Sequence, residues 1–251
     1  MSDDLFNAVT DVCARIGWPS PLVVARTGST NADLVGREGS GQVLVALEQT
    51  EGKGRLGRTW VSRPGDGLTF SVRLDVPVTV ASWGWIPLLT AVAVADAVRE
   101  AGADEIGLKW PNDVVSGMGK VAGILSQRDQ SSVVVGVGIN LRFAGERPDP
   151  RAVSLDELGA DPDADALLAR IISNLHGWWT RFCEAAGDAR RCGLHTAYVA
   201  QCVTLGRHVE VVEASSRGEG FAVEIDEEGR LVVRDDDGTR PLSAADVTVL
   251  G

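Results

Sequence analysis

The sequence lacks the cysteine and histidine patterns of a disulfide-stapled or zinc-binding protein. Its four cysteines, Cys13, Cys183, Cys192 and Cys202, include no C-x-x-C pair, and none of the three histidines stands at a zinc-ligand spacing from them. We therefore expect free thiols inside a protein of a reducing compartment, the cytoplasm.

Positive charge is the second scarce feature. The chain has 24 Lys and Arg residues against 35 Asp and Glu residues, which gives a net charge of −11. Broad binding to nucleic acid requires a basic surface, so this balance argues against it. It still allows a nucleotide held by a few well-placed cations.

Targeting signals and long apolar runs are missing from the sequence as well. The first residues carry no basic region of the kind that opens a signal peptide. The most apolar stretch, 86–98, has about 13 residues, fewer than the roughly 20 that a membrane-spanning helix needs. The 251 residues are enough for one large domain or two modest ones.

Helical and extended patterns alternate through the first 200 residues. Apolar periodicity predicts helices at 3–16 and 163–186, and a stretch that is apolar nearly all round predicts an interior helix at 83–100. Shorter helices are predicted after 29–31 and near 187–197. β-rich segments predict strands at 22–25, 42–47, 67–74, 106–115 (interrupted at Pro111), 120–125 and 133–141. Because short turns join most of these strands, we expect an α+β fold in which helices flank a mixed, mostly antiparallel sheet.

The pattern changes after Cys202. Short alternating strands are predicted at 203–206, 208–212, 220–225 and 230–234, with turns at 214–218, 226–229 and 235–238. About five such strands within some 50 residues favour a small β-barrel. We therefore divide the chain into domains 1–200 and 201–251.

Residues 48–60, the glycine–cation segment, are the most informative stretch. Three glycines alternate with three cations (Lys53, Arg55 and Arg58), and the segment ends on Trp60. Glycine lets backbone N–H groups approach a ligand, and arginine can bind carboxylate or phosphate oxygens with two hydrogen bonds. The segment therefore suits an anionic, partly aromatic ligand such as a nucleotide, with a plain basic surface loop as the alternative.

Two familiar nucleotide motifs do not account for this segment. Residues 52–57 formally match G-x-G-x-x-G, but the sequence that follows has no helical period and contains Pro64. A dinucleotide-binding βαβ unit needs a helix there, so we reject that interpretation. The string G-x-x-x-x-G-K-[ST] of a P-loop does not occur. The motif S-T-N at 29–31 has its own alternative, because each of these side chains can cap a helix.

Five motifs together resemble one family. S-T-N at 29–31, G-K-G-R-L-G-R-T-W at 52–60, K-W-P-N-D at 109–113, K-V-A-G-I-L at 120–125 and G-V-G-I-N at 136–140 closely resemble biotin protein ligases, in that family's order. The resemblance implies a class II synthetase-like catalytic domain that binds biotin and ATP, 1–200, and an SH3-like C-terminal domain, 201–251. It implies a ligase that makes biotinyl-5′-AMP from biotin and MgATP. Biotin then passes to a lysine of a biotin carboxyl carrier domain, as in acetyl-CoA carboxylase.

The same resemblance assigns roles to single residues. It implies catalytic roles for Arg55 and Lys120. Together with those two, the residues expected on biotin or the adenylate are Ser29, Thr30, Asn31, Gln49, Gly52, Lys53 and Gly54. Those expected on the nucleotide are Arg58, Trp60, Asn112, Asp113 and Asn140. No direct metal-ligand motif is recognised, and Mg²⁺ is expected to enter with ATP.

Several positions remain open to a second interpretation. Lys109 is either a ligand-contacting or a structural cation, Asp113 is also a typical turn residue, and Trp110 is expected in the core. Lys53 stands where the family more often has Arg, and a lysine cannot form two parallel hydrogen bonds to one anion.

The expected partner is the carrier domain of a biotin-dependent carboxylase. Few residues precede the S-T-N motif, so we expect neither the DNA-binding domain of many relatives nor binding to nucleic acid or membrane. The protein is expected as a monomer or weak homodimer. Two alternatives stay open: a lipoate or octanoate ligase, and a biotinyl-AMP sensor that does not transfer.

Overall fold

A seven-stranded sheet forms the larger part of the protein. The computed structural model describes residues 6–60, 62–213, 216–243 and 245–250. The strand order is β1-β2-β3-β7-β6-β5-β4, and only the β1–β2 pair is parallel among the described strands. The expected mixed, mostly antiparallel sheet is therefore confirmed. Its strands are β1 (Leu22–Val24), β2 (Gln42–Ala46), β3 (Gly67–Asp75), β4 (Ile106–Lys109), β5 (Asp113–Ser116), β6 (Gly119–Asp129) and β7 (Ser132–Asn140).

Five α-helices accompany the two sheets in the described residues: α1 (Asn7–Arg15), α2 (Thr30–Leu34), α3 (Trp85–Glu100), α4 (Ala164–Glu184) and α5 (Leu194–Val199). Helix α3 packs against α4 on one side and against β4, β5 and β6 on the other. Twelve of its 16 residues are buried. Burial of each Leu or Val side chain stabilises the fold by roughly 1.5–3 kcal/mol, so this helix is the centre of the core.

The stretch around α3 is more apolar than the sequence analysis assumed. Of the described residues, Val80–Glu100 alone have the length and mean hydropathy (1.4) of a membrane-spanning helix. However, 61% of its most apolar part is buried within the protein. A core helix of a folded domain passes the same test of length and composition.

Two aspartates fasten the helices that cover the sheet. The Oδ1 atom of Asp163 accepts a hydrogen bond of 2.9 Å from Ala166 N and so caps α4. Asp165 instead accepts the N–H groups of Ala8 (2.7 Å) and Val9 (2.9 Å). These N–H groups lie in the first turn of α1 and have no partner inside that helix. Asp165 thus ties α1 to α4.

A second, five-stranded antiparallel sheet follows in the order β11-β10-β9-β8-β12. Its strands are β8 (His208–Val212), β9 (Arg217–Ile225), β10 (Leu231–Asp235), β11 (Gly238–Leu242) and β12 (Asp246–Val249). Two indole N–H groups connect it to the first part of the protein. Trp85 Nε1 donates to Glu227 O at 2.8 Å, and Trp110 Nε1 donates to Gly229 O at 3.0 Å. Trp110 is buried, as expected.

Several boundaries differ from the predicted ones. The strand predicted at 203–206 is wrong: the segment forms turns, because Val203 N bonds to Leu108 O at 2.9 Å and Gly206 has a φ of 73°. The helix predicted near 187–197 begins only at Leu194, after a turn in which Gly193 has a φ of 81°. Residues 3–5 of the first predicted helix and 214–215 of a predicted turn lie outside the described residues.

Candidate active site

A cleft of about 1130 Å³ lies between the first sheet, the glycine–cation segment and the second sheet. Twelve of the residues singled out in the sequence line it: Ser29, Asn31, Gln49, Lys53, Gly54, Arg55, Arg58, Trp60, Asn112, Asp113, Lys120 and Asn140. Thr30 and Gly52 are buried beside it and do not line it. Five motifs that are far apart in the sequence therefore meet at one site.

Glycines of the central strands form the floor of the cleft. A Cβ atom at Gly136 of β7 would lie 2.2 Å from Asn31 Oδ1, and one at Gly138 would lie 2.3 Å from Trp60 Cε2. A Cβ at Gly123 of β6 would lie 3.0 Å from Lys120 Nζ. These glycines leave room for the side chains of Asn31, Trp60 and Lys120.

A buried polar network forms one end of the site. Gln49 Oε1 accepts both Thr30 N (2.8 Å) and Thr30 Oγ1 (3.0 Å). Ser71 Oγ contacts Thr30 Oγ1 at 2.7 Å and Asn31 Oδ1 at 2.6 Å, while Asn31 Nδ2 donates to Leu125 O at 3.0 Å. Such satisfied networks fix side chains in one orientation. Ser71 is fully buried on β3, and no sequence motif distinguished it.

The capping interpretation of 29–31 is wrong for the side chains. Ser29 occupies the N-cap position of α2 with an extended backbone, but its side chain makes no capping hydrogen bond. The hydroxyl of Thr30 and the amide of Asn31 point into the buried network instead. Hydrogen bonds to Ser71 on β3 and to Gln49 have therefore taken the place of the local capping bond.

Lys120 lies at the centre of the reactive region. Its Nζ is 2.6 Å from Asp113 Oδ1 and 5.6 Å from the centroid of a Trp60 ring. The Asp113 contact is an ion pair without the angles of a hydrogen bond, because the buried Oδ1 atom accepts none. The ammonium group therefore has a counter-charge that can be exchanged for another anion.

The glycine–cation segment folds back on itself across the cleft. Gly54 N donates to Arg58 O at 2.7 Å, and Trp60 N donates to Gly52 O at 2.8 Å. At the tip, Leu56 has a φ of 53° and an exposed side chain. The segment is thus a tight loop that carries its cations over the opening.

The loop reaches the second sheet through two of its arginines. Arg58 forms an ion pair with the carboxylate of Asp246, and Arg55 Nη2 donates to Ala245 O at 3.3 Å. Burial lowers the pKa of Arg55, while the charges of Asp246 and Asp113 act to raise it. Residues of the second sheet were not among the predicted site residues. No local pattern marks Asp246, since its role depends on where β12 lies.

The two asparagines expected near the nucleotide have backbone partners. Asn112 Nδ2 donates to Ile124 O at 2.9 Å, and Asn140 Nδ2 donates to Lys120 O at 3.1 Å. Both amides therefore brace the strands that carry Asp113 and Lys120. In the described part of the chain no group of three or more His, Cys, Asp and Glu side chains is placed to hold a metal ion.

Comparison with known proteins identifies the family. Residues 23–143 match the model of the biotin/lipoate A/B protein ligase family, and residues 204–250 match that of the biotin protein ligase C-terminal domain. The chain is 40% identical to the biotin–[acetyl-CoA-carboxylase] ligase of Mycobacterium tuberculosis, over 94% of this chain and 91% of the relative. The chain belongs to the family of biotin protein ligases.

Further relatives agree with this membership. The biotin–[acetyl-CoA-carboxylase] ligase of Paracoccus denitrificans is 32% identical over 90% of this chain and 98% of its own length. The structure of the biotin protein ligase from Aquifex aeolicus in complex with biotin and ATP superposes with a TM-score of 0.78 at 26% identity. That match covers 92% of this chain and 99% of the other. The predicted family and fold class are therefore confirmed, including a C-terminal antiparallel sheet.

Proposed function

We propose that this protein activates biotin with ATP to give biotinyl-5′-AMP and pyrophosphate, and then transfers biotin to a lysine of a biotin carboxyl carrier domain. The observation that carries the proposal is the convergence of Arg55, Lys120 and Trp60 on one glycine-floored cleft. The chain's relatives named as biotin–[acetyl-CoA-carboxylase] ligases support the same substrate.

The first step joins two anions. A carboxylate oxygen of biotin attacks the α-phosphorus of ATP, and the bond to the β-phosphate breaks as pyrophosphate leaves with the electron pair. Lys120 and Arg55 reduce the repulsion between the carboxylate and the α-phosphate and stabilise the charge that develops between them. One such contact contributes on the order of 3 kcal/mol, or about a hundredfold in rate.

Asp113 has two tasks in this proposal. It balances the charge of Lys120 before the substrates bind, at a distance of 2.6 Å. Its Oδ1 atom accepts no hydrogen bond and would hold the Mg²⁺ that accompanies ATP. When bound with ATP, this ion screens phosphate charge.

The remaining site residues bind and orient the substrates. Ser29, Asn31 and Gln49 present polar atoms at one end of the cleft for the ureido ring of biotin, with Thr30 holding Gln49 in place. Trp60 offers its indole face to adenine. Arg58 contributes charge toward the phosphates, and closure of the loop keeps water from the anhydride.

In the second step an amine replaces AMP. The nitrogen of the carrier lysine bonds to the carbonyl carbon of the adenylate, the bond from that carbon to the phosphate oxygen breaks, and AMP leaves with the electron pair. The amine proton passes to water. The chain needs no covalent nucleophile of its own for this reaction.

We also propose the finer features that the residues support. The division at 200/201 into a catalytic and an SH3-like domain agrees with the start of the second sheet at His208. Unpaired cysteines support a cytoplasmic location. A carboxylase carrier domain is the proposed partner, and a monomer or weak homodimer without nucleic-acid binding is the proposed form.

One assay separates this function from its alternatives. Pyrophosphate release is measured with biotin, lipoate and octanoate, each with MgATP, and labelling of a purified carrier domain is then followed by mass spectrometry. We expect pyrophosphate release with biotin but not with lipoate or octanoate, and labelling of one lysine of the carrier domain. Release with lipoate or octanoate but not with biotin would overturn the substrate. Release with biotin but without labelling would make the protein a biotinyl-AMP sensor.

A further inference from the structure

Lysine is confined to the candidate active site. The chain contains three lysines, Lys53, Lys109 and Lys120, against 21 arginines. All three lysines line the cleft, although only eight of the 24 cationic residues do so. Elsewhere the sequence uses arginine wherever it needs a positive charge. This chain therefore keeps the compact ammonium group, rather than the planar guanidinium group, at cleft positions only.

Lys109 is a lysine that the proposed mechanism leaves without a task. It ends β4, where its Cα partner across the β4–β5 pair is Asp113. The Asp113 carboxylate lies 2.6 Å from the Nζ of Lys120 instead. Within the described ranges of the chain, Lys109 takes part in no ion pair or side-chain hydrogen bond. Its ammonium group thus faces the cleft without a partner.

The surroundings of Lys109 favour an added anion. Burial lowers its pKa, and the charges of Arg151 and Lys120 lower it further, against the opposing effect of Asp113 and Asp246. A half-buried cation beside other cations is unfavourable until an anion joins it. Arg151 is less suited than Lys109 to bind that anion, because its side chain is largely exposed and already pairs with Asp149 at 3.1 Å.

We propose that Lys109 binds the β- and γ-phosphate oxygens of ATP and holds the pyrophosphate as it leaves. This inference rests on the proposed function. Arg55 and Lys120 are engaged by the carboxylate and the α-phosphate, and the charge of Arg58 is partly balanced by its ion pair with Asp246. An unpaired cation is therefore best placed to stabilise the charge that accumulates on the leaving group. Breaking the bond between the α-phosphorus and the bridging oxygen puts an electron pair on pyrophosphate. The Lys109 ammonium group stabilises that charge without giving up its proton.

The test uses Lys109→Met, which keeps the length of the side chain and removes its charge, and Lys109→Arg, which keeps the charge and changes its shape. We expect Lys109→Met to raise the inhibition constant of pyrophosphate and the KM of ATP by about tenfold or more. Biotin affinity, measured by calorimetry, and transfer from added biotinyl-AMP to the carrier domain stay within about twofold of the parent protein. Lys109→Arg recovers only part of the loss.

Arg207→Met is the matched control, since Arg207 is an exposed cation that lines the same cleft. An equal loss of pyrophosphate affinity in this variant would mean that Lys109 acts only through the overall positive charge of the cleft, and it would overturn the proposal. An unchanged pyrophosphate constant in Lys109→Met would overturn it too, as would an equal loss in biotin binding and transfer. Failure of the parent protein to release pyrophosphate with biotin would instead refute the proposed function itself.

Discussion

The indole of Trp60 lies directly on Gly138 in the middle of strand β7. A Cβ atom at position 138 would come within 2.3 Å of Cε2 and 2.5 Å of Nε1 of that ring. Real Cβ atoms do not approach other atoms so closely, so the ring and any side chain at 138 exclude each other. The second glycine in G-V-G-I-N, Gly138, is therefore required by a tryptophan 78 positions earlier in the chain, and no local pattern reveals this requirement.

We predict that Gly138→Ala displaces Trp60 and raises the KM of ATP by about tenfold, because stacking of an aromatic side chain on a base contributes roughly 1–3 kcal/mol. Steady-state kinetics of pyrophosphate release provide the measurement. Adding Trp60→Phe to Gly138→Ala should cost less than the two single effects combined, since the smaller ring clears the methyl group. Gly177→Ala is the control: a Cβ at this position of α4 meets nothing within 4 Å.

Lys120→Ala is expected to slow the first step by about a hundredfold, which corresponds to the loss of one cation from the transition state. The expected unfolding midpoint in urea stays close to that of the parent protein, because Lys120 is partly exposed and its ion pair with Asp113 contributes little to folding. Pre-steady-state formation of biotinyl-AMP measures the rate. A parental rate in this variant would remove Lys120 from the reacting centre.

Most of the fold follows from local patterns. The apolar period of α4, the nearly continuous apolar surface of α3, the alternation of β3 and the apolar, β-rich sequence of β7 predicted those elements within a few residues. The segment 203–206 was mistaken for a strand because its residues form turns that are held by hydrogen bonds to distant parts of the chain. Val203 bonds to β4, and the hydroxyl of Thr204 accepts Trp110 N at 3.0 Å. Neither partner is near in sequence, so periodicity could not have found them.

The site divides in the same way. Short motifs identified twelve residues that line the cleft, because glycine and cation spacing is visible in one stretch of chain. Asp246 and Ser71 escaped notice, since each matters only through a partner on another element. The unpaired state of Lys109 is likewise visible only in the folded structure, because it depends on Asp113 pairing with Lys120.

Folding stability should fall above about pH 9, in part through Cys13. Burial raises the pKa of this thiol from 9.0 to about 11. Between those values the unfolded chain loses the proton while the folded protein keeps it, so unfolding is favoured as the pH rises. Urea unfolding at pH 7.5 and 10.5 measures the loss. In Cys13→Ala the drop between the two pH values should be smaller, and an identical drop would contradict the assignment.

The Arg58–Asp246 pair is expected to hold the glycine–cation loop against the second sheet. Asp246→Asn removes the charge, and the loop is then held by the Arg55–Ala245 hydrogen bond and its internal backbone bonds. Ion pairs of this exposure contribute at most about 1 kcal/mol, so we expect trypsin to cleave after Arg55 and Arg58 up to about fivefold faster. Mass spectrometry of a short digestion gives the rates.

Glu210→Gln is the matched control for Asp246→Asn. Glu210 lies on the neighbouring strand β8, pairs with Arg217 at 2.6 Å, and its side chain is 24% exposed, as is that of Asp246. Its loss should leave cleavage in the loop unchanged, because its partner belongs to the same sheet. If both variants are cleaved at the parental rate, the contact between Arg58 and Asp246 does not restrain the loop. Faster cleavage in Asp246→Asn alone shows that the second sheet restrains the loop.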